Sequence, residues 1–128
     1  MKKTRILLVL LVAASLPLLA ERVDLETARK VATTFLNNNG AKTNQLTDLE
    51  NVAGFPNLYI FNANEGFVVM AADDRIKPIL GYSLTGSFKV EDMPENVRGW
   101  LQGYNDEIQH AIDNQAKSSI EWALAYDS

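Results

Sequence analysis

Phe67 to Ala72, read as FVVMAA, is apolar at every position. A strand with one face in water alternates apolar and polar side chains. An unbroken run bounded by Gly66 before and by Asp73-Asp74-Arg75 after therefore predicts a central strand contacted on both faces. Ile79-Leu80-Gly81-Tyr82 resumes the strand pattern after a break that contains Pro78. Proline has no amide hydrogen to give to a ladder, so it suits a strand start or an edge.

The neighbouring residues build a meander around this run. Leu58 to Ala63 is rich in aromatic and branched side chains, and Asn64-Glu65-Gly66 is a short connection suited to a hairpin, so this strand pairs antiparallel with Phe67 to Ala72. Asp73 to Lys77 turns the chain into a third strand at Ile79 to Ser83, which Thr85-Gly86 closes. Pro56 marks a loop before the first of these strands. Leu46 to Val52 alternates weakly and is expected to add a fourth.

Two helices are expected beside the sheet. Asp24 is an N-cap for a helix from Leu25 to about Asn38, because its carboxylate accepts from the free first-turn amides. Ala28, Val31, Ala32, Phe35 and Leu36 form its apolar stripe, and Asn37-Asn38-Asn39-Gly40 ends it. Val97, Leu101, Tyr104, Ile108 and Ile112 recur at four, three, four and four residues, which predicts a long amphipathic helix from Glu95 to about Lys117. Pro94 suits its first turn. Ile120, Trp122, Leu124 and Tyr126 alternate with small or acidic residues, a pattern that fits a docked edge and an exposed tail equally. The fold class is α+β: a small antiparallel, meander-like sheet of three to four strands packed against two α-helices.

The first 20 residues read differently. Lys2, Lys3 and Arg5 precede an apolar run from Ile6 to Val12, followed by Ala13, Ala14, Ser15 and the helix-breaking Pro17. This is the pattern of a secretory signal peptide, too short and too soon broken for a spanning helix, which needs about 20 apolar residues. Cleavage between Ala20 and Glu21 is preferred, with cleavage after Ala14 as the alternative. The expected product is a single domain, residues 21–128, secreted or periplasmic, with no membrane span. Removing the leader takes three of the 12 Lys and Arg and none of the 16 Asp and Glu, leaving 9 against 16 and a net charge of −7. No basic cluster survives to bind nucleic acid. The chain has no cysteine, so its core alone must hold it together.

The same inventory argues against an enzyme. There is no thiol nucleophile, and the one histidine, His110, cannot supply both a base and a metal ligand set. His110 sits on the long helix with Asp106, Glu107 and Asn114 at helical spacings, which reads as a solvated ion pair. Asp73 and Asp74 are adjacent, so their carboxylates point apart, and a turn role fits them better than acid–base work. No phosphate loop, zinc spacing or nucleophile elbow is present, and no cofactor or metal is expected. Binding remains, with Lys89 to Asn96 as a contact segment between a strand and a rigid helix.

Gly66-Phe67-Val68-Val69, Asp73-Asp74-Arg75 and Pro78-Ile79-Leu80-Gly81-Tyr82-Ser83 together resemble the propeptide of streptopain-type cysteine proteases and the small free-standing inhibitors related to it. Ala28, Phe35 and Leu36 match the first helix of that family, and Leu58-Tyr59-Ile60-Phe61-Asn62 matches the preceding strand. Gly86-Ser87-Phe88 and Pro94-Glu95-Asn96-Val97 match downstream. In such zymogens the propeptide packs on the catalytic domain, and an asparagine on the loop after the Gly-Tyr-Ser strand helps keep the catalytic histidine displaced. The resemblance places that asparagine at Asn96. One inserted residue in the loop keeps Met93, Pro94 and Glu95 beside it as the inhibitory loop. Because the chain stops at Ser128 with no catalytic domain, the resemblance implies an inhibitor acting in trans on a streptopain-type protease. A propeptide-like folding assistant and a degenerate secreted binding module are the alternatives.

Overall fold

Backbone pairing and capping in the chain follow these local signals closely. A computed structural model describes residues 20–41, 45–49 and 54–126. Its elements are α1 (Leu25–Asn38), β1 (Thr47–Asp48), β2 (Leu58–Asn62), β3 (Phe67–Ala71), β4 (Ile79–Ser83), α2 (Glu95–Asp113) and α3 (Ile120–Tyr126). Of the leader, all but Ala20 lies outside the described residues. Of the strand expected over Leu46 to Val52, Thr47–Asp48 forms β1 and the Leu49 amide donates to the Ile60 carbonyl, while positions 50–52 lie outside the description.

The sheet order is β1-β2-β3-β4, antiparallel throughout, which is the meander. Its faces divide the β2 and β3 side chains by parity. Phe61, Val68 and Met70 point toward α1 and pack with Ala28, Val31, Ala32 and Leu36. Ile60, Val69 and Ala71 point the other way and pack with Leu101 and Ile108 of α2. The expectation for the apolar run thus has a direct structural cause, since β3 is covered by a helix on each face. Asp24 caps α1 as expected: it accepts from the Thr27 amide at 2.7 Å, and that hydrogen bonding holds its carboxyl below the usual range.

Three features depart from the expectation. The long helix ends at Asp113 rather than near Lys117, with Asn114 as C-cap and Gln115 at φ 53. The strand β4 carries a bulge: Val69 pairs with Gly81 and Met70 with Ile79, so Leu80 is the extra residue. The bulge aims both Leu80 and Gly81 at the α2 face, where strict alternation would have sent one of them to the opposite side. Finally, the tail is a third helix among the described residues. Trp122 is buried on the α1 face and donates its indole N–H to the Ile76 carbonyl at 2.7 Å, while Ile120 and Leu124 remain exposed.

A buried polar clamp joins α2 to the segment before β2. Asn57 donates its backbone N–H to Asn105 Oδ1 at 2.9 Å, and its side-chain amide donates to the Asn105 carbonyl at 3.1 Å and to Gln109 Oε1 at 3.2 Å. Asn57 and Asn105 are both buried, so these groups have no water to fall back on. Replacing Asn105 with Leu orphans the Asn57 N–H and should destabilise the protein by about 1–3 kcal/mol in urea titration. A loss no larger than that of an exposed-site change such as Gln102→Leu would show that the clamp is dispensable.

Candidate functional site

The connection from β4 to α2 is pinned at both ends and exposed in between. Gly66 donates its N–H to the Gly86 carbonyl at 2.7 Å. Asn62 then grips Phe88 on both sides of its peptide: its Oδ1 accepts from the Phe88 amide at 2.7 Å, and its Nδ2 donates to the Phe88 carbonyl at 3.0 Å. The Phe88 ring meets Phe67 edge-on, with centroids 5.4 Å apart. Lys89, Glu91 and Asp92 are exposed, and Asp92 turns the chain with φ 53, a conformation Asp tolerates better than most side chains. Met93 then tucks against the α2-side core and anchors the far end.

The four residues singled out from the sequence divide between loop and helix. Met93 is half-buried, and Pro94 is exposed and forms the N-cap of α2 at φ −59, ψ 149. Glu95 and Asn96 lie in the first helical turn, so the loop proper ends at Pro94 rather than at Asn96. The reason is local: proline lacks a side-chain acceptor but presets an extended approach to a helix. No side-chain cap covers the first turn, so its amides face outward beside an exposed Asn96 whose side chain makes no hydrogen bond within the described residues.

One turn further on, at helical spacing from Asn96, stands Trp100. It is 41% exposed, packs edge-on against Tyr104 at 5.1 Å and reaches Gly81 with the outer end of its six-membered ring. A Cβ on Gly81 would come within 2.7 Å of the indole, so the glycine makes the seat for the ring. Tyr82 and Leu84 are also exposed at this edge of the sheet. Trp100 is not among the residues that the sequence singles out. Its signal was the four-residue step from Asn96, which counts as a surface position once α2 is known to begin at Glu95.

The other candidates are placed apart from this surface. His110 is exposed, and its neighbour is Asn114, whose amide donates to the His110 carbonyl at 2.8 Å and lies 3.3 Å from Nδ1. Asp106 is bonded instead to Gln102 at 2.7 Å, so the expected ion pair gives way to amide contacts. Asp73 is buried and takes both oxygens to Arg75 Nη1, at 2.9 and 2.8 Å, while also accepting the Arg75 amide. That is a turn role, as its position suggested. Among the described residues no three His, Asp or Glu side chains converge as a metal site, and no helix is long and apolar enough to cross a membrane. An apolar groove of about 400 Å³ lies on the α1 side, bordered by Phe35, Pro78, Ile79 and Leu124.

Residues 20–108 match the Spi protease inhibitor family, a span that contains the whole sheet, the pinned connection and the first turns of α2. The chain belongs to this inhibitor family. It is also 43% identical over 61 residues to the thiol protease/hemagglutinin PrtT of Porphyromonas gingivalis, and 37% identical over 54 residues to streptopain of Streptococcus pyogenes. Those stretches cover 46% and 41% of this chain but only 7% and 13% of the two longer proteins. An inhibitor family related in sequence to parts of thiol proteases is what the streptopain-type resemblance implied. The family match stops at residue 108, inside α2, so α3 and its buried Trp122 lie beyond it.

Proposed function

We propose that this chain is an exported inhibitor of a streptopain-type cysteine protease, acting in trans by seating Met93, Pro94, Glu95 and Asn96 in the active-site cleft. The observation that carries the reading is the presentation of Asn96, exposed on the first turn of a helix whose approach is fixed by Asn62, Phe88 and Met93. A segment already held in place loses little freedom on binding, which favours tight association. The side-chain amide of Asn96 carries both donors and an acceptor, so it can bond an imidazole or a thiolate in either protonation state. A catalytic thiol and histidine held apart by such a group cannot form their reactive pair. The helical backbone from Glu95 onward also resists cleavage, because proteases take extended substrates.

Trp100 and the β4 edge extend the docking surface beside the cleft, since large exposed aromatics next to a rigid helix make effective interface anchors. The test is a titration of the chain against active streptopain-type protease. Stoichiometric inhibition is expected, weakened about thirtyfold by Asn96→Ala, the effect of losing a central contact of about 2 kcal/mol. Full protease activity at micromolar excess of inhibitor, with the folded chain verified by circular dichroism, is the result that defeats the reading.

A further inference from the structure

We propose that Asp74 is a receptor for the amino terminus created by cutting the Ala20–Glu21 bond, so that leader removal locks the start of the domain onto the β3–β4 turn. The inference rests on the export reading above, because it needs a leader that is removed. In the step itself a leader peptidase adds water across the peptide bond. The hydroxyl goes to the Ala20 carbonyl carbon, and the Glu21 nitrogen leaves as an amine that takes a proton to become an ammonium.

The geometry is already set for that ion. Residues 21–23 run antiparallel to residues 72–74: the Val23 amide donates to the Ala72 carbonyl at 2.9 Å, and the Asp74 amide donates to the Glu21 carbonyl at 3.0 Å. The Glu21 backbone nitrogen lies 2.9 Å from Asp74 Oδ1. With the peptide bond intact this is a neutral donor on a carboxylate. After cleavage the same atom carries a positive charge at hydrogen-bond distance.

The charge count around Asp74 shows what is missing. Asp73 and Arg75 neutralise one another through two contacts below 3 Å. Arg22, which borders the same cleft, is turned away: its guanidinium donates to the Pro56 carbonyl at 3.1 Å and lies over the Tyr59 ring. Asp24 is engaged as the α1 cap, and the Glu21 carboxylate adds a further negative charge. Among the described residues Asp74 forms no ion pair; the nearest cation, Arg75, is bonded to Asp73 and to the Ala20 carbonyl and reaches Asp74 through its charge alone. Burial raises the Asp74 pKa and the Asp73 and Glu21 charges add to this, while the Glu21 amide and the Arg75 charge oppose it, and the net direction is upward. Its ionised form is therefore a cost to the folded state at neutral pH, one that an ammonium on Glu21 removes. The carbonyl of Asp74 also accepts from the Ser119 amide just before α3, so the lock joins both ends of the domain at one residue.

The sign of the pH dependence follows. An ammonium paired with Asp74 has its pKa raised over that of the unfolded chain. While Asp74 is ionised, the ammonium's contribution is therefore complete below the ordinary α-amino range of roughly 7.7–8.0, fades as pH rises through the folded value, and is lost in acid when Asp74 takes a proton.

The test begins with the full chain expressed with its leader in a bacterium, followed by the mass of the exported product. A terminus at Glu21 is expected. That chain is then compared with the same chain acetylated at Glu21, which keeps the N–H and supplies a carbonyl in place of that of Ala20, to which Arg75 donates at 3.2 Å. The free amine should favour folding about fivefold at pH 6.5, a gain of about 4 °C in midpoint. The difference should vanish at pH 10 and in Asp74→Asn. A product that keeps its leader overturns the inference together with the export reading. A product cut after Ala14, or free and acetylated chains that melt together at pH 6.5, overturns the inference and leaves protease inhibition by the chain standing.

Discussion

Trp122→Ala should lower the stability of the domain by about 3–5 kcal/mol, the range for emptying a fully buried aromatic site. The indole is only 1% exposed, packs among the α1-side core with Val31, Leu36 and Met70, and has its polar N–H satisfied by the Ile76 carbonyl. Truncation removes the apolar contacts and leaves the part-buried Ile76 carbonyl without its donor. Ile120 and Leu124 are exposed, and the small Ala125 that also packs on this core cannot fill the space the indole leaves. Urea denaturation of the variant beside the parent measures this. A loss below about 1 kcal/mol would mean that α3 contributes little and that the unit ends, as the family match does, near residue 108. The expected loss makes the C-terminal helix an essential part of the fold.

Gly66→Ala is the second large effect, at about 3 kcal/mol. Gly66 has φ 100, a region almost closed to side chains, and a Cβ there would overlap the Ser83 carbonyl oxygen and crowd the Leu84 backbone at 3.1 Å. The obstacle is main chain, so no side-chain rotation relieves it. β4 would have to move away from β3, and the hydrogen bond from Gly66 to Gly86 that pins the connection would go with it. Gly86→Ala provides the control: its φ is also positive, at 71, but the space around it is open, so it should cost only about 1 kcal/mol. Equal losses in the two variants, measured by denaturant midpoint, would show that backbone conformation and not the close approach sets the Gly66 requirement. If inhibition follows the reading above, Gly66→Ala should also weaken it more than its stability loss alone accounts for.

Most of the scaffold was legible because its signals are local. The run at Phe67–Ala71, the stripe Ala28-Val31-Ala32-Leu36 and the stripe Leu101-Tyr104-Ile108 each encode one element within one window. Asp24 and Gly66 were equally readable, one as a cap and one as a turn. The candidate surface was legible in part. Asn96 and its companions were named in sequence, yet whether Asn96 belongs to a loop or to a helical turn depends on where α2 starts. Trp100 gained its meaning only when the bulge at Leu80 brought Gly81 beneath it.

The tail shows why a short pattern fails. Ile120, Trp122 and Leu124 alternate as in a strand, but two residues along a helix turn the chain by about 200°, so a helix also sends Trp122 opposite to its neighbours. Three residues cannot separate the two periods. The deciding contact is the hydrogen bond to Ile76, 46 positions away.

By itself, then, the amino-acid sequence determined the elements before the tail, their antiparallel order and the family resemblance, because torsional preference, apolar period and turn chemistry act between near neighbours. Only the tertiary structure decided that the helices take opposite faces, that Asn57 and Asn105 form a buried clamp, that Trp122 closes the α1 side, and that Asp74 faces the Glu21 nitrogen. The last three depend on groups 46 to 53 residues apart meeting at bonding distance, and no local pattern carries that information.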